Sequence, residues 1–271
     1  MIMKRVLFIF AILGLTTAVA FGQVRENRPV SGFTGVNASN MFNITVQRGN
    51  THSLVIEGDA DIVPYVRSEV RNGVLHLSGG RLDRRQGNEN VSTPKITIVM
   101  PNLEYVTLSG IGSLTSEDLF TPDTFRFNGS GVSSLSINLN TNQLDMELSG
   151  VSTIEINANV RGHSRFNSPG VSNISGNLVT ERLSFDYSGT GAVTLTGSAT
   201  QATINASGVP NLNLVDFPIR DVVVNAHGAG NIRVNATNSL EINAQGVSTI
   251  RYTGSATVQR NVGRMSNVSR L

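Results

Sequence analysis

Polar residues able to bind a ligand recur at one fixed position relative to a series of glycines. The glycines stand 18 to 21 residues apart, at Gly110, Gly131, Gly150, Gly170, Gly189, Gly208, Gly228 and Gly246. Three residues before them stand Thr107, Asn128, Glu147, Asn167, Asp186, Asn205, Asn225 and Asn243. Amide and carboxylate side chains at a regular spacing can bond to one another, bind an extended ligand, or hold a cation.

Three interpretations of this polar column are open. In the first, the column is structural, because stacked amides bond to each other and to the backbone. In the second, it is a flat ligand-facing surface for a glycan or protein, formed by Asn128, Glu147, Asn167, Asp186, Asn205, Asn225 and Asn243. In the third, Glu147 and Asp186 hold a cation, although two repeats separate them by roughly 9–10 Å at the spacing of neighbouring strands.

Catalytic residues are not expected. Solenoid enzymes that cleave acidic polysaccharides need clustered acids, and the densest group here is Asp145, Glu147 and Glu155. Strand alternation puts the first two on one side and Glu155 past a corner. The four histidines have no metal-ligand spacing, and the absence of cysteine excludes thiolate sites, disulfides and a lipoprotein anchor. The sequence therefore predicts no catalytic residue, metal or cofactor.

The elements that must position these side chains are strands in stacked coils. Residues four before and four after each glycine are apolar in all eight repeats. The intervening segments alternate in steps of two, which is typical of strands with one buried face. A steady period of about 20 residues with this alternation predicts coils that pair in parallel with their neighbours.

The predicted fold is therefore all-β: a single-stranded parallel β-solenoid of about 8–9 coils of 19–20 residues, with an N-terminal antiparallel β cap. Right-handed coiling is expected because crossovers between parallel strands are right-handed. Each coil is expected to hold two short strands separated by a Ser-Gly-Val-Ser corner. A glycine is expected there because it reaches positive φ without a Cβ penalty.

The chain divides into a signal peptide at 1–22, N-terminal cap strands at 23–100 and repeats at 101–271, with one continuous mature domain of about 30–271. Lys4 and Arg5 precede an apolar run that is too short to span a membrane, which is typical of a cleaved secretory signal. The first 22 residues hold two basic residues and no acid, so 19 basic and 19 acidic residues remain. A nucleic-acid partner is therefore not expected.

The N-terminal segment has its own pattern. Strands are expected at 41–47, 53–58, 67–78 and 95–100, and Asn72-Gly73 predicts a hairpin turn. Residues 79–93 are predicted to be a charged loop. The C-terminal tail is predicted to form one degenerate coil around Val262 and Met265 that closes the far end.

The chain resembles the family described as "putative auto-transporter adhesin, head GIN domain". The resemblance rests on the segments 33–78 and 96–114 and on the repeated SGVSxL/I corners, and it covers about 30–271. It implies an exported β-helix-like domain with a surface-adhesion role. The family supplies no catalytic residues to carry over.

Together these features predict an exported, non-catalytic protein of the cell envelope that acts as an adhesin or as a carbohydrate- or protein-binding solenoid. The alternatives are a β-helix polysaccharide lyase or glycosidase, and a structural envelope scaffold that assembles end to end. The expected partner is a surface glycan or protein, and no membrane span is expected after signal cleavage. The expected location is the periplasm, the outer surface or the medium.

Overall fold

The structure is a computed structural model that describes residues 22–79 and 93–271. The predicted signal peptide, apart from Gly22, and nearly all of the predicted charged loop lie outside the described residues. Within them, the chain forms strands and one short 3-10 turn at Val63–Tyr65, and no α-helix. The predicted all-β parallel solenoid is confirmed, with about nine coils.

The repeats form one strand per coil. These strands are β11 (Val132–Leu148), β12 (Val151–Ser168), β13 (Val171–Tyr187), β14 (Thr190–Ala206), β15 (Val209–Ala226) and β16 (Asn231–Ala244). Each pairs in parallel with the next, and most of the pairings shift register part-way along. The expectation of two short separate strands was therefore wrong in detail, because the second corner of the coil is a bulge within a bent strand.

The two halves of each coil make two sides of a rod. The half that follows the glycine corner forms face A, as in residues 132–140, and the half that precedes the next corner forms face B, as in residues 143–148. The first repeats are formed by β8 (Tyr105–Leu108), β9 (Ile111–Phe120) and β10 (Thr124–Gly129). β8 and β10 belong to face B, and β9 belongs to face A. At the far end β17 (Thr249–Thr253) and β19 (Asn267–Arg270) extend face A, and β18 (Thr257–Val262) extends face B.

The N-terminal strands join the rod out of sequence order. They are β1 (Gln23–Arg28), β2 (Gly35–Ala38), β3 (Met41–Arg48), β4 (Ser53–Asp59), β5 (Val66–Arg71), β6 (Val74–Gly79) and β7 (Lys95–Met100). β2 lies between β6 and β8, and β3 lies between β7 and β9, all in parallel. The coil of β2 and β3 is thus inserted between two coils that come later in the chain.

The antiparallel part of the cap lies outside that inserted coil. β1 pairs with β4, β4 with β7, and β5 with β6, all antiparallel. The predicted hairpin turn joins β5 to β6, where Asn72 and Gly73 have φ of 51° and 75°. All four strand segments predicted in this region are present.

The core lies where the repeat predicts it. The apolar residues four before and four after each glycine are all buried, and they belong to one hydrophobic cluster that runs the length of the rod. Aromatic residues stack from coil to coil, with the rings of Phe166 and Phe185 5.1 Å apart. Tyr187 continues this stack, and burial raises the pKa of its phenol.

The corner glycines have a different role from the expected one. None of the eight has φ in the left-handed region. Instead, a Cβ on each would lie closer than 3.0 Å to a main-chain atom of the coil before it. In seven corners the obstructing atom is the carbonyl oxygen of the preceding corner glycine, which accepts a hydrogen bond from the next residue, as from Val151 N to Gly131 O at 2.9 Å. Glycine is needed because the coils approach closely there.

An arginine sits at each end of the rod. The Arg28 guanidinium donates to the carbonyls of Val63, at 3.0 Å, and Val66, so it ties β1 to the start of β5. At the other end, Arg270 donates to the carbonyl of Gly254 at 2.9 Å. These contacts provide hydrogen-bond donors for main-chain carbonyls at the two ends of the rod, where the described residues form no further coil to pair with.

Replacing Arg28 with alanine is expected to lower the free energy of unfolding by about 1.5–3 kcal/mol, because hydrogen bonds from a charged donor are lost at a side chain only 15% exposed. The matched control is Arg25→Ala in the same strand. Arg25 is 67% exposed and pairs with Glu57 at 3.1 Å, so its loss should cost less than about 1 kcal/mol. Urea unfolding of both variants measures the difference, and equal losses would contradict the capping role of Arg28.

The C-terminal tail forms strands, but its predicted core was wrong. β18 and β19 add half-coils to the two faces. Val262 and Met265 are exposed, Met265 by 71%, whereas Val258 and Val268 pack against the core. The pattern of the repeat fades in the tail, so the sequence did not distinguish inward from outward residues there.

Candidate functional site

The predicted polar column is a continuous ladder on face B. Each of its members lies directly opposite the next in the parallel register, from Thr107 through Asn128, Glu147, Asn167, Asp186, Asn205 and Asn225 to Asn243. The ladder also extends beyond the predicted residues. Asn37 and His76 precede Thr107 in register, Glu69 lies opposite His76, and Asn261 follows Asn243. We call this set the polar ladder.

Hydrogen bonds join the rungs in one direction. Each bonded amide donates from Nδ2 to the oxygen of the coil before it: Asn167 to Glu147 at 2.7 Å, Asn205 to Asp186 at 2.7 Å, Asn225 to Asn205 at 2.9 Å and Asn243 to Asn225 at 3.1 Å. An asparagine amide has a second donor hydrogen and a carbonyl with two lone pairs. The bonds therefore support the coil stack and still leave hydrogen-bonding capacity that faces outward.

The second asparagine column, which follows the glycines by seven residues, bonds chiefly to the main chain. Asn138 donates to the carbonyl of Glu117 and Asn235 to that of Val215, both at 2.9 Å. Asn177 donates to the Thr196 hydroxyl at 3.2 Å. These amides lie on face A and bond to a neighbouring coil: Asn138 and Asn235 to the coil before, and Asn177 to the coil after.

The acids that could support catalysis or metal binding are dispersed. Asp145 lies 3.5 Å from Arg126, Glu147 accepts from Asn167, and Glu155 accepts from Ser136 at 3.3 Å. Asn167 stands between Glu147 and Asp186 in the ladder. Over residues 22–79 and 93–271, no three His, Asp or Glu side chains are grouped so that they could hold a metal ion.

A polar cleft of about 450 Å³ lies where the ladder reaches the cap. Its lining includes Arg67, Glu69 and Arg71 of β5, and His76 and Asn37 of the ladder. The hydrogen bond from Arg71 holds the pKa of the Glu69 carboxyl below its usual value, with the charge of His76 acting in the same direction. Glu69 is therefore an anion beside two arginines and a histidine, which is a surface rich in hydrogen-bonding groups.

An exposed aliphatic stripe runs along the glycine corner. It consists of the residues directly after the corner, which are 44% to 58% exposed: Met41, Ile111, Val132, Val151, Val171, Val209 and Val247. The strand register places them in one column; for example, Val132, Val151 and Val171 lie opposite one another in β11, β12 and β13. The sequence showed these residues as part of the repeat, but their apolar type gave no sign that they are outward.

The family comparison covers most of the rod. The model of the family described as "putative auto-transporter adhesin, head GIN domain" matches residues 32–167 and 158–256. The chain belongs to this family. The matched ranges include both the inserted coil of the cap and the repeats that carry the polar ladder, so the head GIN resemblance expected from the sequence is confirmed.

Solved structures share the fold of this head GIN protein. A putative adhesin from Bacteroides fragilis is 22% identical with a TM-score of 0.51, covering 92% of this chain and 97% of that one. A putative adhesin from Parabacteroides merdae is 16% identical with a TM-score of 0.61, covering 92% and 96%. A putative lipid binding protein from Parabacteroides distasonis is 17% identical with a TM-score of 0.64, covering 92% and 96%. At these identities the likeness concerns the fold.

No curated protein matches the chain. In the part of the head GIN protein that the structure describes, no helix has the length and apolar character needed to cross a membrane. The comparisons thus give the family and the fold.

Proposed function

We propose that this protein is an exported, non-catalytic adhesin of the cell envelope that binds an extended surface glycan or protein along face B. The observation that carries the proposal is the polar ladder, whose rungs repeat in register along an open side of the rod. Neighbouring rungs are about 4.8 Å apart. A polymer laid along the rod can therefore meet a similar set of donors and acceptors at every coil.

The size of the binding surface follows from the geometry of the ladder. Each asparagine rung offers only one or two neutral hydrogen bonds, which are worth about 0.5–1.5 kcal/mol net. Useful affinity therefore requires contact with several coils at once. The proposed ligand is accordingly a chain several repeats long and not a single small molecule.

The non-catalytic part of the proposal rests on the engagement of the acids. Asp145 and Glu147 are held by Arg126 and Asn167, and Glu155 is on the other face. A lyase or glycosidase requires an acid and a base that converge on one bond of the substrate. Incubation with acidic and neutral polysaccharides is expected to release no reducing sugar. Release that disappears in Asp145→Ala would overturn this part.

Binding is tested with the purified protein on glycan and matrix-protein arrays, followed by titration of any ligand found. The variant Asn205→Ala/Asn225→Ala is expected to weaken binding about tenfold, equivalent to about 1.4 kcal/mol, because it removes adjacent rungs. The matched control is Thr153→Ala, a small exposed polar residue on face A. Thermal melts of both variants check that the rod remains folded.

Two outcomes would contradict the proposal. One is the absence of binding to any glycan or protein on the arrays. The other is a ligand whose affinity falls equally in the ladder variant and in Thr153→Ala, because binding would then not depend on face B.

A further inference from the structure

We propose that face A carries a separate site, near the C-terminal end, for a phosphate or sulfate group of an anionic glycan. The site consists of Arg233, Arg251, Asn211, Asn231 and Thr249, with Ile232 at its base. We call it the arginine cleft. It lies on a different face of the rod from the polar ladder, so it adds a second and chemically different binding surface.

The register of three coils builds the cleft. Arg233 in β16 lies directly opposite Arg251 in β17. Asn231 and Thr249 lie two residues before the arginines on the same two strands and therefore on the same outward side, and Asn211 of β15 lies opposite Asn231 in the same column. Between the columns is a shallow cleft of about 220 Å³. Both arginines are exposed, so their guanidinium groups are accessible to a ligand.

The charge of this region is unbalanced. Neither Arg233 nor Arg251 has a salt bridge within residues 22–79 and 93–271. From residue 242 to 271 the chain has four arginines and no acidic residue: Arg251, Arg260, Arg264 and Arg270. Like charges directly opposite each other on neighbouring strands destabilise a sheet. An anion bound between the two arginines removes this repulsion.

The donor set favours a tetrahedral oxyanion. One guanidinium already matches the two oxygens of a carboxylate in a bidentate pair. Two arginines opposite each other on strands about 4.8 Å apart, with two amides and a hydroxyl beside them, offer more donors than a carboxylate can accept. A phosphate or sulfate ester has three terminal oxygens and can accept from both arginines and the neutral donors together.

The surroundings favour a glycan as the carrier of this anion. The same two columns continue above and below the cleft, and most of their residues there carry amides or hydroxyls that suit sugar hydroxyl groups. These residues are Thr194, Asn213, Asn267 and Ser269, and the exception is Ala192. Single-stranded nucleic acids need aromatic platforms on which bases stack, and these columns contain no aromatic residue. A sugar chain can thus lie along the face with its anionic group in the cleft.

Calorimetric titration of the purified protein tests this site, with a heparin octasaccharide as the sulfated glycan and dextran as the neutral one. Heparin is expected to bind and dextran is not. The variant Arg233→Gln/Arg251→Gln is expected to weaken heparin binding at least about tenfold. The matched control Arg260→Gln/Arg264→Gln removes two exposed charges from the same end of the rod but outside the cleft, and it should change affinity less than about threefold.

A second measurement needs no glycan. At low ionic strength the melting temperature of Arg251→Gln is expected to rise, because the repulsion with Arg233 is lost, and sulfate should raise that of the parent protein more than that of the variant. Equal loss of heparin affinity in both double variants would overturn the cleft, as would no heparin binding. If polygalacturonate, which carries carboxylates, bound as tightly as heparin, the preference for a tetrahedral anion would be wrong. If phosphatidylglycerol vesicles bound more tightly than heparin, the assignment to a glycan would be wrong.

The two proposals fail separately. The Asn205→Ala/Asn225→Ala variant is expected to bind heparin like the parent protein, because the ladder lies on face B. A loss of heparin binding in that variant, with normal binding in Arg233→Gln/Arg251→Gln, would contradict the arginine cleft and leave the ladder as the binding surface.

Discussion

Replacing Ile154 with aspartate is expected to prevent the rod from folding. Ile154 is 0% exposed and lies in the apolar column that runs through every coil. A carboxylate there would lose its hydration without gaining a partner, or would have to be protonated, and either costs several kcal/mol. Because each coil stacks on its neighbours, a coil that cannot pack also exposes the coils above and below it. Phe166→Asp is expected to act in the same way.

The same strand supplies the control. Val151 is three residues from Ile154 and is 50% exposed in the aliphatic stripe. Val151→Asp is therefore expected to change the free energy of unfolding by no more than about 0.5 kcal/mol, as for ordinary surface substitutions. Circular dichroism with urea unfolding compares the two. If the Ile154→Asp variant folded, or the Val151→Asp variant did not, the assignment of Ile154 to the interior and Val151 to the surface would be wrong.

The repeat made the interior and the ladder predictable. A fixed period places residues such as Ile154 and Phe166 at equivalent positions in successive coils, so one alignment decides the interior of all of them. The same alignment brought the asparagines of face B into one column. These inferences need only local periodicity, which a single sequence contains.

Other features depend on contacts that the period does not record. The insertion of β2 and β3 between later coils is a choice of strand partner, and the sequence of the cap was equally compatible with consecutive pairing. The extension of the ladder to His76 and Glu69 depends on that insertion. These two residues belong to β6 and β5, which do not contain the glycine repeat, so the repeat alignment could not include them.

The arginine cleft was predictable from the sequence only in part. Arg233 and Arg251 both stand five residues after a repeat glycine, so the alignment already placed them in one column. Their role was missed because the other members of that column are hydroxyls, an amide and one acid, Glu155, so the column as a whole shows no basic character. Only the structure shows that, within residues 22–79 and 93–271, neither arginine has a salt bridge to an acid.

Replacing Gly170 with alanine is expected to destabilise the rod by about 3 kcal/mol, at the upper end of the cost of overpacking. The added methyl group would meet the carbonyl oxygen of Gly150, which accepts a hydrogen bond from Val171 N at 2.9 Å. A main-chain atom in a ladder of hydrogen bonds cannot move aside as a side chain can. The two coils must therefore move apart at this corner, and this movement breaks the hydrogen bonds between them there.

Two comparison variants separate close approach from backbone conformation as the reason for glycine. Gly58→Ala adds the same methyl group where the nearest atom, Val63 Cγ2, is 3.4 Å away, and it should be nearly neutral in urea unfolding. Gly170→Asn supplies a residue that tolerates positive φ. If the corner needed positive φ, asparagine would be milder than alanine. Because the obstacle is instead the preceding coil, Gly170→Asn should be at least as damaging as Gly170→Ala, and a milder effect would refute the close-approach explanation.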